Sequence, residues 1–304
     1  MEAYLARVVT WPSPVDLRRS LSPTRRGPGD PAFQLSGDDI WRTTRMATGP
    51  ATLRLRQTDR LQVDVRAWGP GAREALDNFH ATLPECTFEP PEGAHPAVSD
   101  AHRRFPGLRP VATGRVGEAL IPAIIEQKVL GADAFAAWRR LLIRFGEPAP
   151  GPTPLPLRVV PTADQWAAIA SWEWHLAGVD PQRYRTAQAA AHVLDRIEQV
   201  AAACDRPATY RALRSIPGVG AWTAAEVGGR ALGDPDAVPW GDYHLANLVG
   251  VGLTGDRVTH DEVPDLLEPY RPHRGHVVRL LQLSPLVHVE RRGPRNSRVD
   301  HRRR

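Results

Sequence analysis

A chain of 304 residues has room for two or three compact lobes, and 42% apolar content with nine tryptophans supplies the interior to fill them. The formal charge of +5 leans towards an anionic partner, while two isolated cysteines, Cys86 and Cys204, exclude a disulfide framework and a cysteine zinc site. No apolar run nears the roughly 20 residues of a membrane span, and residues 1–10 lack a signal-peptide layout, so a soluble cytoplasmic protein is expected.

Residues 1–84 read as a small α+β unit. A strand is expected over 4–9 and a short helix over 13–21, followed by a loop rich in Pro, Gly and Arg at 23–30. Three strands follow at 40–46, 51–56 and 61–67, where Leu53, Leu55, Leu61, Val63 and Val65 show the period-two alternation of a half-buried antiparallel sheet. A helix over 72–83 closes the unit. Residues 85–97, rich in proline, read as a linker to a helical domain over 98–289.

Within that domain a helix is expected over 116–130, with Val116, Leu120, Ile124 and Val129 on one face. Lys128 lies on it and is the only lysine in the chain, so a mechanism through a lysine Schiff base has a single candidate. Further helices are read at 133–145, from a cap at Thr162 through Trp172, and at 182–203, with a proline-rich surface loop at 147–156. Trp172 and Trp174 are assigned to the core, and His175, His244, His273 and His276 to packing or phosphate contact rather than to a metal. Residues 290–304 form a strongly basic tail, expected to be disordered and to add non-specific attraction for polyanions.

The most informative run is 213–224, Leu-Arg-Ser-Ile-Pro-Gly-Val-Gly-Ala-Trp-Thr-Ala. Helical patterns at 210–215 and 221–232 flank a hairpin in which Gly218 and Gly220 leave no room for side chains. Free N–H groups at the start of the second helix are then available to a phosphate. An ordinary αα-hairpin with a glycine turn is the bland alternative. Twenty residues beyond Trp222, Asp242 follows a glycine bend and precedes a new apolar helix. By position alone it is a helix N-cap.

Together these features resemble the helix-hairpin-helix DNA glycosylases, and specifically the bacterial 3-methyladenine DNA glycosylase II family. The resemblance extends through Phe105-Pro106-Gly107-Leu108-Arg109, Ile121 to Val129, Leu176-Ala177-Gly178 and Tyr270 to His276, covering residues 100–285. It implies an α+β fold with an N-terminal TATA-binding-protein-like domain ahead of a mostly helical helix-hairpin-helix domain. It makes Asp242 the catalytic carboxylate and Trp222 an aromatic wall of a base pocket. Tyr243, by its place beside Asp242, is a candidate second wall of that pocket, with half-buried packing at a helix start as the alternative. Pro217, Gly218, Val219, Gly220, Thr223, Gln127 and Lys128 become the DNA-binding residues. The backbone carbonyls of Arg214, Ile216 and Gly218 fall where relatives hold a structural monovalent cation, Na+ or K+, and no catalytic cofactor is implied. Lys128 replaces an apolar wedge, and Gln282 replaces a second pocket tryptophan. Trp222 fills the slot of the attacking lysine in bifunctional relatives, so hydrolysis without strand cleavage is expected. The partner implied is double-stranded DNA carrying damaged, alkylated bases, bound by a nucleoid-associated monomer. A bifunctional glycosylase/lyase acting through Lys128, and a non-catalytic DNA-binding module, stand as alternatives.

Overall fold

The computed structural model describes residues 3–289; the basic tail lies outside the described residues. Five strands form one antiparallel sheet: β1 (Leu5–Thr10), β2 (Phe33–Ser36), β3 (Asp39–Met46), β4 (Gly49–Gln57) and β5 (Gln62–Trp68), in the order β1-β5-β4-β3-β2. Helix α1 (Leu17–Leu21) lies between β1 and β2, and α2 (Ala72–Thr82) follows β5. Leu53, Leu55, Val63 and Val65 are buried under α2 with Leu76 and Phe79, the outcome their alternation predicts. Leu61 is the exception. It precedes β5 and is 38% exposed. The strand β2 went unread because its four residues sit behind a loop of prolines and glycines.

Thirteen α-helices occur among the described residues. After α2 come α3 (Pro96–Arg104), α4 (Val116–Ile125) and α5 (Gly131–Phe145). A two-stranded ribbon, β6 (Glu147–Pro148) with β7 (Arg158–Val159), closes the proline-rich loop. Helices α6 (Ala163–Ala168), α7 (Ser171–Ala177), α8 (Pro181–Ala202), α9 (Arg206–Arg214), α10 (Ala221–Ala231), α11 (Leu245–Thr254), α12 (Val263–Leu267) and α13 (Arg274–Leu283) complete the chain. Thr162 caps α6 with a reciprocal Gln165 capping box, as its sequence position predicts. That helix stops at Ile169 and Ala170, both extended, and a second one begins. The rotation this break introduces buries Trp174 completely and leaves Trp172 65% exposed, so only one of the two tryptophans belongs to the core.

One apolar cluster joins α4, α5, α6, α8 and the hairpin residues Ile216 and Val219. Alanines 187, 190 and 191 of α8 bury almost all of their surface there, which lets α4 pack closely against it. Another cluster gathers Phe88, α3, α11, α12 and α13. Phe88 lies within residues 85–97 and is 3% exposed, so this proline-rich stretch packs on the C-terminal helices.

The sheet is tied to the helices by polar contacts. Glu118 of α4 accepts hydrogen bonds from Thr44 Oγ1 (2.7 Å) and Arg45 N (2.8 Å) of β3. Buried Arg109 donates to Ser13 Oγ, Pro14 O and Leu83 O. No described helix is long and apolar enough to cross a membrane.

Candidate active site

The hairpin between α9 and α10 is anchored by its apolar residues. Ile216 and Val219 point into the core, while Pro217, Gly218, Gly220 and Ala221 remain exposed. Its two glycines differ in kind. Gly218 has φ +88°, and a Cβ there would lie 2.2 Å from Thr186 Oγ1 of α8. Gly220 has an ordinary φ, and a Cβ on it would meet nothing within 4 Å. The expectation of a hairpin too tight at both glycines therefore fails at Gly220, which faces open space. The first N–H groups of α10, which have no partner within the helix, start there. Buried Thr223 lies one turn in.

Asp242 sits on the bend before α11. The N-cap of α11 is His244, so Asp242 stands two residues outside the cap position. Its carboxylate is half-buried and doubly held. His244 N donates to Oδ1 at 2.8 Å, and the Trp222 indole Nε1 donates to Oδ2 at 3.2 Å. Twenty residues of chain thus close into one contact between the second residue of α10 and the bend. Tyr243 does not join them. It is 82% exposed, with a ring contact only to His244 at 5.0 Å among the described aromatic pairs, because the turn at 243–244 directs it away from the bend. As placed here it forms no wall opposite Trp222, contrary to the expectation. Gln282 is also exposed, where Arg279 Nη1 donates to its Oε1.

The bend owes its shape to the motif at 270–276. Arg274 donates from its side chain to both oxygens of Asp236 (2.9 and 2.6 Å) and from its backbone N to Oδ1 (3.0 Å). Burial alone would raise Asp236, but these bonds hold its carboxyl below the usual range. A Cβ on Gly275 would lie 2.3 Å from Ala237 O, and His276 N donates to Pro235 O at 2.8 Å. That this motif braces the loop leading to Asp242 is not legible in the sequence beyond one signal, a glycine at 275 between Arg274 and His276, where the backbone crosses too closely for a side chain. His276 is buried. Burial, with lesser repulsion from His273 and His102, pushes its imidazole down to about 3, so it packs as a neutral group.

Gln127 and Lys128 lie in a turn rather than a helix. Helix α4 ends at Ile125, and Lys128 has φ +54°, a left-handed conformation. The Gln127 amide Nε2 donates to Gly218 O at 3.0 Å and to Thr223 Oγ1 at 2.9 Å, while Lys128 is exposed. Among the three hairpin carbonyls, Gly218 O thus accepts from Gln127, and Ile216 O accepts from Val219 N at 3.0 Å. Each carbonyl keeps a second lone pair, so a monovalent cation fits this donor set. No cluster of three or more His, Cys, Asp or Glu that could hold a metal exists among the described residues. A cavity of about 40 Å³ between sheet and helices, lined by Arg26, Asp30, Arg42, Glu118, Trp138 and Arg230, is far too small for a nucleobase and excludes Asp242.

No family model matches the chain. It is 33% identical over 154 residues to the probable bifunctional transcriptional activator/DNA repair enzyme AlkA of two Mycobacterium tuberculosis strains, a match covering 50% of this chain and 30% of those relatives. Among solved structures, a 3-methyladenine DNA glycosylase from Archaeoglobus fulgidus superposes with a TM-score of 0.71 at 16% identity, covering 91% of this chain and 97% of that one. Over half its length the chain is similar to that AlkA relative, and it has the fold of the archaeal 3-methyladenine DNA glycosylase. An 8-oxoguanine glycosylase/lyase from Clostridium acetobutylicum shares that fold, with a TM-score of 0.68 at 11% identity over 92% of this chain and 96% of its own. Proteins named as a glycosylase and as a glycosylase/lyase therefore share this frame, and the fold alone assigns neither chemistry. The chain spans less than a third of the length of the curated relatives it matches.

Proposed function

We propose that this protein is a monofunctional DNA glycosylase that releases alkylated bases, such as 3-methyladenine, from double-stranded DNA and leaves an abasic site. The observation that carries the reading is the Trp222–Asp242 hydrogen bond beside an outward-facing hairpin. A base within a duplex is out of reach, so the nucleotide swings out, at a cost of a few kcal/mol. Cleavage of the C–N bond develops positive charge on the sugar, which the ionised Asp242 carboxylate stabilises while orienting the attacking water. The alkylated base carries its own positive charge, leaves readily, and is attracted to the face of Trp222 by roughly 0.5–2 kcal/mol. A tryptophan cannot form the Schiff base that a lyase needs.

The hairpin Pro217–Gly220 and the start of α10 grip phosphate through backbone N–H groups, which positions the DNA without reading its sequence. Carbonyls of Arg214, Ile216 and Gly218 are the proposed holders of Na+ or K+, which would add positive charge beside that phosphate. No catalytic cofactor is required by this mechanism. The sheet unit of residues 1–84 is proposed as a TATA-binding-protein-like domain, residues 85–97 as its connection, and 98–289 as the glycosylase domain of a monomer at the nucleoid.

Alkylated genomic DNA incubated with the protein, with released bases identified by mass, tests the reading. Release of alkylpurines by the wild type and not by Asp242→Asn supports it. Borohydride trapping of a covalent adduct through Lys128 would replace it with the lyase reading, and binding without release would leave a DNA-binding module.

A further inference from the structure

The end of α4 and the turn after it, residues 125–128, are held more firmly than an exposed connection between two helices requires. Elements far apart in sequence each grip one of these residues. Arg183 of α8, itself 4% exposed, donates from Nη1 to Ile125 O at 2.5 Å. Arg26, in the loop after α1, sets Nε 3.2 Å from Glu126 Oε1. Gln127 reaches the hairpin and α10 through the two hydrogen bonds to Gly218 O and Thr223 Oγ1. The next residue, Lys128, adopts φ +54°. A left-handed lysine costs about 1–2 kcal/mol and persists where its surroundings over-determine it.

The orientation of the Gln127 amide is dictated by its partners. A flipped amide would aim Oε1 at the Gly218 carbonyl oxygen, two acceptors face to face. With Nε2 inward, both of its N–H donors are consumed within the protein. Only Oε1 remains, an acceptor that repels phosphate. Gln127 is therefore unsuited to the direct DNA contact that its sequence position suggests.

We propose that Gln127 is a positioning residue, a strut that locks the Lys128 turn to the hairpin so that a phosphate gripped by the hairpin sets where Lys128 meets the same duplex. The inference deepens the glycosylase reading and rests on it only for the excision readout below. The juxtaposition itself requires only that the hairpin bind DNA.

Lys128 is the only lysine in the chain, which provides a direct probe. The full-length protein is treated with an amine-acylating reagent, with and without undamaged duplex DNA, and the Lys128 peptide is followed by mass. Gln127→Glu keeps the shape and length of the side chain but removes both donors. The expected result is strong DNA protection of Lys128 in the wild type, at least tenfold, falling to within threefold in Gln127→Glu and in Gln127→Ala, with the duplex affinity of Gln127→Ala changed less than threefold at matched salt. Protection retained in the variants overturns the strut. A large loss of duplex affinity in Gln127→Ala would instead make Gln127 a DNA contact. On alkylated substrates, the ratio of base release from duplex to release from single strands should fall about tenfold in Gln127→Glu. Equal losses on both substrates with a lowered Tm would reduce the bonds to general stability and overturn the proposal. Gln127→Ala repeats the comparison without the added carboxylate charge. If the wild type releases no base, yet protects Lys128 and loses that protection in the Gln127 variants, the glycosylase reading fails while the strut stands.

Discussion

Asp242 is placed by two donors of different origin, a backbone N–H from its own turn and an indole N–H from α10. Asp242→Asn keeps the size of the group and the backbone bond but loses the charge. Base release should fall about a hundred- to thousand-fold, the scale of about 3–4 kcal/mol for a preorganised charge-stabilising group, while affinity for undamaged duplex holds. Near wild-type turnover in single-turnover assays would refute the assignment. Trp222→Phe separates the ring from its N–H. A charge-assisted bond at a half-buried site is worth about 1.5 kcal/mol, so kcat should drop about tenfold with KM nearly unchanged, a smaller loss than at Asp242. Both residues are singled out through the family resemblance, since by position alone Asp242 reads as a helix N-cap. Their hydrogen bond is not legible there, because nothing in a spacing of twenty residues says which rotamer an indole takes. Tyr243 shows the converse, an aromatic next in sequence to Asp242 that the turn swings into solvent.

At the scale of elements, the hairpin makes its two glycines testable against each other. Gly218→Ala forces a left-handed alanine and drives its Cβ into Thr186, so Tm should fall by several degrees together with DNA affinity. Gly220→Ala meets no protein atom, and its Tm should stay within a degree. Any loss there should appear only in DNA binding, because the methyl group occupies the face proposed to meet phosphate. Similar Tm losses in both variants, measured by calorimetry, would contradict this division. The break after α4 overturns the helix expected through residue 130, although the sequence holds one signal of it. Apolar residues at 116, 120 and 124 recur every four positions, and the next such position is Lys128 rather than Val129. A charged residue at that position interrupts the apolar stripe on which the longer helix was read. The Ile169–Ala170 break carries no such mark, since neither residue disfavours helix, and tertiary packing of Trp174 decides it.

Across the whole molecule, the bend of Asp242 depends on packing that begins at the other end of the helical region. His276 of α13 donates its backbone N–H to Pro235 O, and its ring sits at 3.5 Å from Cys86 Sγ, with Phe88 between it and the rings of His273 and His102. The motif 270–276 could be read from the sequence, but its partners at 86–88 lie in a proline-rich stretch that looked like a spacer. This cluster gives the protein a defined acid sensitivity. Folded, the His276 imidazole titrates at about 3, against 6.5 when exposed. Between those values the unfolded chain binds one more proton at this site than the folded one, so stability is full above about pH 6.5 and declines as pH falls. The slope is about 1.4 kcal/mol per pH unit for one proton, so at most about 2 kcal/mol is lost between pH 6 and 4.5. His276→Gln keeps a polar side chain that does not titrate. Carboxylates such as Asp236, held low by Arg274, lose stability in the same acid range and contribute equally to both proteins. Denaturant unfolding at pH 6 and 4.5 should therefore show the variant losing about 2 kcal/mol less than the wild type. Base release should follow the same order, since the brace on the Asp242 bend loosens with the cluster. Parallel stability curves for the two proteins would show that His276 accepts a proton in the folded state without penalty, and that the cluster is open to water.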